Sequence, residues 1–190
     1  MADSNITKRA MAAAMKELLR DRPFAKVNVS DICDACGMNR KSFYYHFQDK
    51  YELMNWIFFN EYVHRMQQED ERADLVGWYR LDDLCRYLYE NREFYRRAFG
   101  VEGQNCFAEY FREFVSVVLS ADMARIFGRE EDVAFYTDFY MDAFVCAVRR
   151  WLRQREPMPA MQFSGRLKRC VAGVSETVQA KCAQEALPRN

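Results

Sequence analysis

The 190 residues of this chain suffice for one compact unit, or for a small domain and a larger one. Half of them are apolar and 29% are charged, a globular balance, and the zero formal net charge argues against indiscriminate coating of nucleic acid. Seven Gly and four Pro, beside ten Met, favour helix over sheet. The seven cysteines lack the spacing of a disulfide scaffold, and the sequence shows neither a signal peptide nor an apolar run of bilayer length. We therefore expect a cytoplasmic protein with reduced thiols and no membrane contact.

Two helices are predicted in the first 36 residues. The first spans residues 5–21, where apolar residues recur at helical spacing until Pro23 ends the pattern. The second spans residues 29–36. Asn28 is a favourable N-cap for it, and Asp31, three residues later, can complete a capping box.

A third helix is predicted over residues 40–47, directly after a tight turn. Gly37 lies where a helix end commonly needs a left-handed residue, and Asn39 is a second N-cap. Phe43 and Phe47 form one face of this helix, and the opposite face is basic and aromatic, with Arg40, Lys41, Tyr44 and Tyr45. Two short helices joined by a glycine turn, the second with such a face, are typical of a DNA-reading helix-turn-helix.

The rest of the chain is predicted to be helical, without strands. Asp49 is the N-cap of a helix at about 50–68, which is apolar nearly all round and therefore expected to be buried on several sides. Further helices are expected at about 70–79, 82–99, 104–127, 131–154 and 160–182. The prediction is an all-α fold of about nine helices, with a helix-turn-helix head at 1–50 and a helical body at 51–190. Residues 1–50 carry a net charge of +3 and the body −3, as phosphate contact by the head requires.

One segment carries a recognisable motif. The turn Gly37-Met38-Asn39 precedes Phe43-Tyr44-Tyr45-His46-Phe47, and Lys50 opens the next helix. Together with the helices before it, about a quarter of the chain, this arrangement resembles the N-terminal domain of the tetracycline-repressor-like (TetR) family of bacterial transcriptional regulators. The run from Lys50 to Phe58 is similar to the branch that includes dihydroxyacetone-kinase regulators.

The chemistry of these side chains agrees with what the resemblance implies about DNA contact. An arginine or lysine early in a recognition helix can reach guanine O6 and N7, and hydroxyl or imidazole groups suit phosphate oxygens. The resemblance implies base contacts by Arg40, Lys41 and Tyr44, and phosphate contacts by His46 and Lys50. The whole predicted DNA-binding set is Ser30, Asn39, Arg40, Lys41, Tyr44, Tyr45, His46 and Lys50.

Cys33 and Cys36 form a Cys-x-x-Cys pair that is open to more than one interpretation. In isolation it could be a redox pair or half of a zinc site. A structural zinc would need two more ligands, and the chain offers only His46 and His64, without a second such pair. Their helical spacing beside Ile32 suits packing instead. We therefore expect reduced, unligated thiols and no bound metal.

The aromatic residues of the body predict mainly a core. A helical bundle with tyrosines also has the apolar walls and few hydroxyls that small-molecule pockets need. The resemblance implies an inducer pocket, for which the candidate lining residues are Trp56, Phe59, Tyr62, Tyr87, Phe111 and Tyr140.

No catalytic constellation is visible, so we expect neither an enzyme nor a cofactor. The resemblance implies a ligand-responsive transcriptional regulator, expected to be a repressor, that binds a palindromic double-stranded operator as a homodimer and responds to an unknown small-molecule effector. Broad apolar stripes on the helices at 131–154 and 160–182 predict the dimer interface. The alternative is a helical regulator controlled through a protein partner, because regulators of the resembled branch can act in this way and can activate.

Overall fold

The computed structural model describes residues 2–64, 66, 79–101, 103, 106–127 and 130–185, with the side chains at some helix ends left out. This part of the chain contains nine α-helices and no strand, which confirms the predicted all-α class. The helices are α1 Ala2–Asp21, α2 Val29–Ala35, α3 Arg40–His46, α4 Lys50–Phe58, α5 Tyr79–Glu90, α6 Arg92–Ala98, α7 Phe107–Phe127, α8 Glu130–Arg153 and α9 Ala160–Glu185. None of the described helices is both long and apolar enough to cross a bilayer.

One predicted helix was wrong and another cannot be compared. The segment at 82–99 is not a single helix, because Asn91 leaves the helical conformation with φ −105° and ψ 24° and separates α5 from α6. The N–H groups of Phe94 and Tyr95 both donate to the Asn91 carbonyl at 3.1 Å, so a new helix starts at this residue. The helix predicted at about 70–79 lies outside the described residues except for its last position.

A π-helical turn, Phe59–Val63, follows α4 and was not predicted. The N–H of His64 donates to the carbonyl of Phe59, five residues back, as this kind of turn requires. At the start of α4 the Oδ1 of Asp49 accepts from the N–H groups of Tyr51 and Glu52, both at 2.8 Å, which confirms the predicted cap. The Glu52 carboxylate accepts from the N–H of Gln48 at 2.6 Å, one residue before the cap.

The chain divides into two compact units. Unit 1 comprises residues 1–73 and 90–114, and unit 2 comprises residues 74–89 and 115–190. The predicted head therefore belongs to a unit that also contains α4, α6 and the start of α7. The functional division at residue 50 stays a prediction.

Each unit has an aromatic core. In unit 1 the buried Phe58 ring contacts other aromatic rings at centroid distances of 5.2–5.6 Å, namely those of Tyr62, Phe107, Phe111 and Phe114. In unit 2 the Trp151 indole stacks on Phe163 at 4.1 Å and on Tyr89 at 5.9 Å, and its Nε1–H donates to the carbonyl of Met158 at 2.8 Å. Aromatic pairs of this geometry stabilise a core beyond the area that they bury.

Candidate DNA-binding site

The turn between α2 and α3 is built by local hydrogen bonds. The N–H of Asn28 donates to Asp31 Oδ2 at 2.8 Å at the start of α2, and Gly37 ends this helix in the left-handed region with φ 67°. The N–H of Ser42 donates to Asn39 Oδ1 at 2.8 Å and caps α3. These contacts confirm the predicted caps and the glycine turn.

The inner face of α3 is fixed by burial. Phe43 and Phe47 are 0% and 3% exposed, and their rings lie 5.8 Å apart. On α2, Ile32 and Cys33 are equally buried. Because Phe43 of α3 and its C-cap residue Phe47 are buried on one side, the opposite side of this seven-residue helix must face outward.

The outer face of α3 carries the predicted contact residues together. Tyr45 is 82% exposed and Tyr44 58%, and Arg40 and Lys41 are also exposed. The ring of Tyr45 meets the half-buried His46 imidazole edge to face at 4.9 Å. Large exposed aromatics beside cations are unusual on a solvated helix and suit a nucleic-acid surface.

Three residues of the predicted set also make contacts within the site. Arg40 Nη2 donates to Ser30 Oγ at 3.2 Å, so the hydroxyl of α2 orients the arginine that opens α3. The Asn39 Oδ1 accepts the capping bond described above, which leaves its amide N–H groups as the atoms able to reach DNA.

Lys50 differs from the other cations of the predicted set. Its Nζ donates to the carbonyl oxygens of Phe24 and Val27, at 2.9 and 2.7 Å. Desolvation by burial lowers its pKa, with the nearby Asp31 acting in the opposite direction. Sequence reasoning missed this contact, which spans more than twenty residues.

The two cysteines of α2 are packed as small apolar side chains. Cys33 is 2% exposed, and the Cys36 Sγ–H donates to the Cys33 carbonyl at 3.5 Å. Burial raises the pKa of both thiols, which disfavours the thiolate that redox chemistry and metal binding use. Among the described residues no group of three or more His, Cys, Asp and Glu could hold a metal ion.

Contacts between α1 and the rest of unit 1 were also missed from the sequence. Lys16 Nζ lies 2.8 Å from a Glu61 carboxylate oxygen, and Arg97 Nη2 donates to the Arg20 carbonyl at 2.7 Å. A cation at the end of α1 interacts favourably with the helix dipole. The partners are 45 and 77 residues apart, so no local pattern could have identified them.

The six candidate pocket aromatics fall in different places. Tyr62, Tyr87 and Phe111 are at most 4% exposed, and Trp56 is half-buried with its ring 5.8 Å from that of Phe47. Phe59 is 41% exposed at the start of the π turn. Tyr140 lines a cavity of about 260 Å³ in unit 2, with walls from α7, α8 and α9. The assignment of all six to an effector pocket stays a prediction.

A basic and aromatic helix, presented by a glycine turn within an all-α chain, defines the helix-turn-helix class of DNA-binding proteins. The family model described as "Bacterial regulatory proteins, tetR family" matches residues 11–56. A second family model, which covers the C-terminal part of the same family and is described as "Transcriptional regulator C-terminal region", matches residues 79–173. The chain belongs to the TetR family of transcriptional regulators.

Individual relatives agree with the predicted branch. Over 103 residues the chain is 35% identical to the HTH-type dhaKLM operon transcriptional activator DhaS of Lactococcus lactis subsp. lactis (strain IL1403), and the match spans 54% of either protein, about half the length of that relative. A solved dihydroxyacetone kinase operon activator DhaS has a TM-score of 0.61 at 21% identity, over 90% of this chain and 97% of that one. A TetR transcriptional regulator from Streptococcus agalactiae 2603V has a TM-score of 0.68 at 19% identity, over 90% and 96%. At these identities the two structures show the shared fold.

Proposed function

We propose that the chain binds a specific operator through the outer face of α3. Arg40, Lys41 and Tyr44 read bases, and Ser30, Asn39, Tyr45 and His46 contact the backbone. The observation that carries this proposal is the opposed burial at α3. Phe43 and the C-cap residue Phe47 are buried, whereas Arg40, Lys41 and the two tyrosines of the helix are exposed. Such a helix can enter a major groove without disturbing the core behind it.

Fluorescence anisotropy with the DNA upstream of the gene that encodes this chain tests the proposal. Arg40→Ala and Lys41→Ala should each weaken operator binding by about 1–3 kcal/mol and relax its specificity. Arg153→Ala is the matched control, because this exposed arginine lies in unit 2. If both α3 variants bind the operator as tightly as the control does, α3 is not the recognition helix.

We propose further that the chain is a two-fold dimer held by α8 and α9. Phe135 and Phe139 are 69% and 58% exposed, one turn apart on α8. The apolar cavity with Tyr140 is lined by two alanines of the same helix and by Leu167, Cys170 and Val171 of α9. Exposed rings beside an apolar cavity form a self-complementary surface, which a two-fold partner can cover.

The proposed interface keeps the two helices predicted from the sequence but uses other residues of α8. Phe144, Val148 and Trp151, which belong to the stripe on α8, are buried within unit 2, so other residues of this helix are left for a partner. Val174 and Val178 of the α9 stripe lie outside the described side chains. Two heads related by two-fold symmetry would read half-sites of a palindrome about 34–36 Å apart, or a multiple of that distance.

The response to a signal is the remaining part of the proposal. A small-molecule effector would shift the population toward dimers whose recognition helices no longer match successive grooves. Regulation through a protein partner is the second candidate. It is supported by Tyr62 and Phe111, two candidate pocket residues, because their rings pack around Phe58 as part of the core of unit 1. The relatives named as operon activators support activation by this chain, in place of the expected repression.

One experiment separates the two signals and the two directions. Operator-dependent transcription is measured in the presence of the purified chain. Either a protein-free extract or a dialysed lysate of the source cell is then added, and the two responses are compared. We propose a cytoplasmic location, because operator binding requires access to the DNA of the cell. A response to the extract supports the small molecule, and a response to the dialysed lysate alone supports the protein partner.

A further inference from the structure

We propose that α8 pairs antiparallel with α8 of a second copy of this chain, with Cys146 of each copy at the two-fold axis. The inference rests on the proposed dimer and adds to it the direction and the register in which the two helices meet. Its support comes from the exposure, the charges and the side-chain sizes along one stripe of α8, Glu130–Arg153.

An exposed stripe runs along most of α8. Because each residue of an α-helix is rotated by about 100° from the one before it, positions on one stripe can be read from their numbers. Phe144, Val148 and Trp151 lie on the side that is buried within unit 2. Five exposed residues lie on the opposite side, within about 80° of arc, namely Phe135, Phe139, Asp142, Cys146 and Arg150. Two exposed rings on such a stripe favour a partner over solvent.

The charges of α8 are divided between its two halves. Residues 130–142 include five acidic residues and no basic residue, and residues 143–153 include three arginines and no acidic residue. The helix dipole favours this division only within the first and the last turn, so it does not account for Asp142, about three turns from the start. An antiparallel second copy would place each acidic half against a basic half, whereas a parallel copy would place like charges together.

The spacing of three exposed residues selects the register. Cys146 lies four residues after Asp142 and four residues before Arg150. In an antiparallel pair related by a two-fold axis, positions equally far from the axis on either side face each other. With Cys146 at the axis, Asp142 of each copy faces Arg150 of the partner subunit, so the same ion pair forms twice.

Side-chain size varies along the stripe as a helix crossing requires. Two packed helices cross at an angle, so they are closest at the crossing point and separate on either side of it. Cys146 and the exposed Ala143 near it are small, whereas the rings of Phe139 and Phe135 lie about two and three turns away. An interaxial distance at the short end of about 8–10 Å then brings the two Cys146 thiols within reach of a disulfide bond.

Exchange of the two charges tests the register. The dimer dissociation constant of the full-length chain is measured by sedimentation for Asp142→Arg, for Arg150→Asp and for the variant with both changes. Within one subunit these positions are about 12 Å apart along α8, too far for an ion pair, so recovery in the double variant requires contact between subunits. Arg86→Asp is the matched control, because it reverses an exposed arginine on α5 of the same unit.

Oxidation with diamide tests the position of the axis without a change in sequence. Diamide takes up the hydrogens of two thiols as they form a disulfide. A disulfide between the two copies of Cys146 is identified by peptide mass spectrometry and by its loss in Cys146→Ser. Cys170→Ser is the control, because Cys170 is an exposed cysteine of α9.

We expect each single charge reversal to weaken dimerisation by about tenfold or more, because like charges then face each other at two places. The double variant should recover to within about threefold of the unmodified chain, and Arg86→Asp should match that chain. Diamide should link the unmodified chain and Cys170→Ser, but not Cys146→Ser. A dimer without the Cys146 disulfide, or a double variant as weak as the single ones, would overturn the register and leave the proposed dimer intact. A monomeric unmodified chain would overturn both.

Discussion

Replacing Gly37 by alanine should destabilise the helix-turn-helix by about 1 kcal/mol. Gly37 has φ +67°, and an added Cβ would meet no atom within 4 Å, so the cost is backbone strain and not a clash. The left-handed conformation costs an L-residue roughly 1–2 kcal/mol. The lower freedom of alanine in the unfolded chain offsets roughly 0.4–1 kcal/mol of this.

Two control variants bracket this estimate. Gly37→Asn should lose less, because asparagine tolerates the left-handed region. Gly165→Ala should stabilise unit 2 by about 0.5–1 kcal/mol, because this position is within α9 and the new Cβ would lie 3.7 Å from Arg169 Nη1, an ordinary contact.

Urea unfolding followed by circular dichroism, with amide exchange in α2 and α3, measures both effects. In a chain of this size about 1 kcal/mol corresponds to about 2–4 °C in Tm. The reasoning is refuted if Gly37→Ala is as stable as the unmodified chain while Gly165→Ala behaves as expected.

Three further predictions concern unit 2. Phe139→Glu should give a monomer in sedimentation at micromolar concentration, and a dimeric Phe139→Glu would contradict the proposed dimer interface. Val117→Glu is the control, because Val117 is 72% exposed on α7, and it should leave the dimer intact. Desolvation alone would raise the pKa of Asp82, but hydrogen bonds from Lys168 and Ser164 and the Lys168 charge outweigh it and hold this pKa below its usual value. The stabilisation by ionised Asp82 is present above the unfolded-state pKa of about 3.9 and is lost as the pH falls through the folded-state pKa. The free energy of unfolding of Asp82→Asn should therefore depend less steeply on pH below about 4 than that of the unmodified chain. An unchanged pH dependence would be evidence against this contribution. Burial raises the pKa of the Cys85 thiol to about 12, so iodoacetamide at about pH 8 should spare Cys85 in the folded chain and alkylate it only after denaturation, as peptide mass spectrometry can show.

The sequence predicted the helix-turn-helix well because its determinants are local. The caps Asn39 and Asp49 accept from N–H groups two or three residues away, and the N–H of Asn28 donates to the Asp31 carboxylate three residues later. The conformation of Gly37 follows from its place at a helix end. Such effects can be read from residue type and spacing. The orientation of the Lys50 ammonium could not, because its acceptors lie 23 and 26 residues away.

The body was predicted less completely for a similar reason. On α8 the spacing of apolar residues indicates a stripe, but it does not distinguish the residues that pack within one subunit from those left exposed, such as Phe135 and Phe139. Sequence alone could not separate the aromatic pocket candidates from core residues, because a pocket and a core in a helical bundle are both lined by the same types of side chain. Only the packing shows Tyr62 and Phe111 against Phe58.

The π turn after α4 explains why the sequence there looked apolar all round. Buried residues occur in neighbouring pairs, at 53–54, 57–58 and 62–63, so the interval is four residues and then five. A regular α-helix would turn the third pair away from the core, and the wider turn keeps it facing inward. Losing one residue inside a helix normally rotates everything downstream by about 100°. Here, deletion of Asn60 would restore a uniform interval of four, so this segment can shorten by one residue in the course of evolution without exchanging its inner and outer faces.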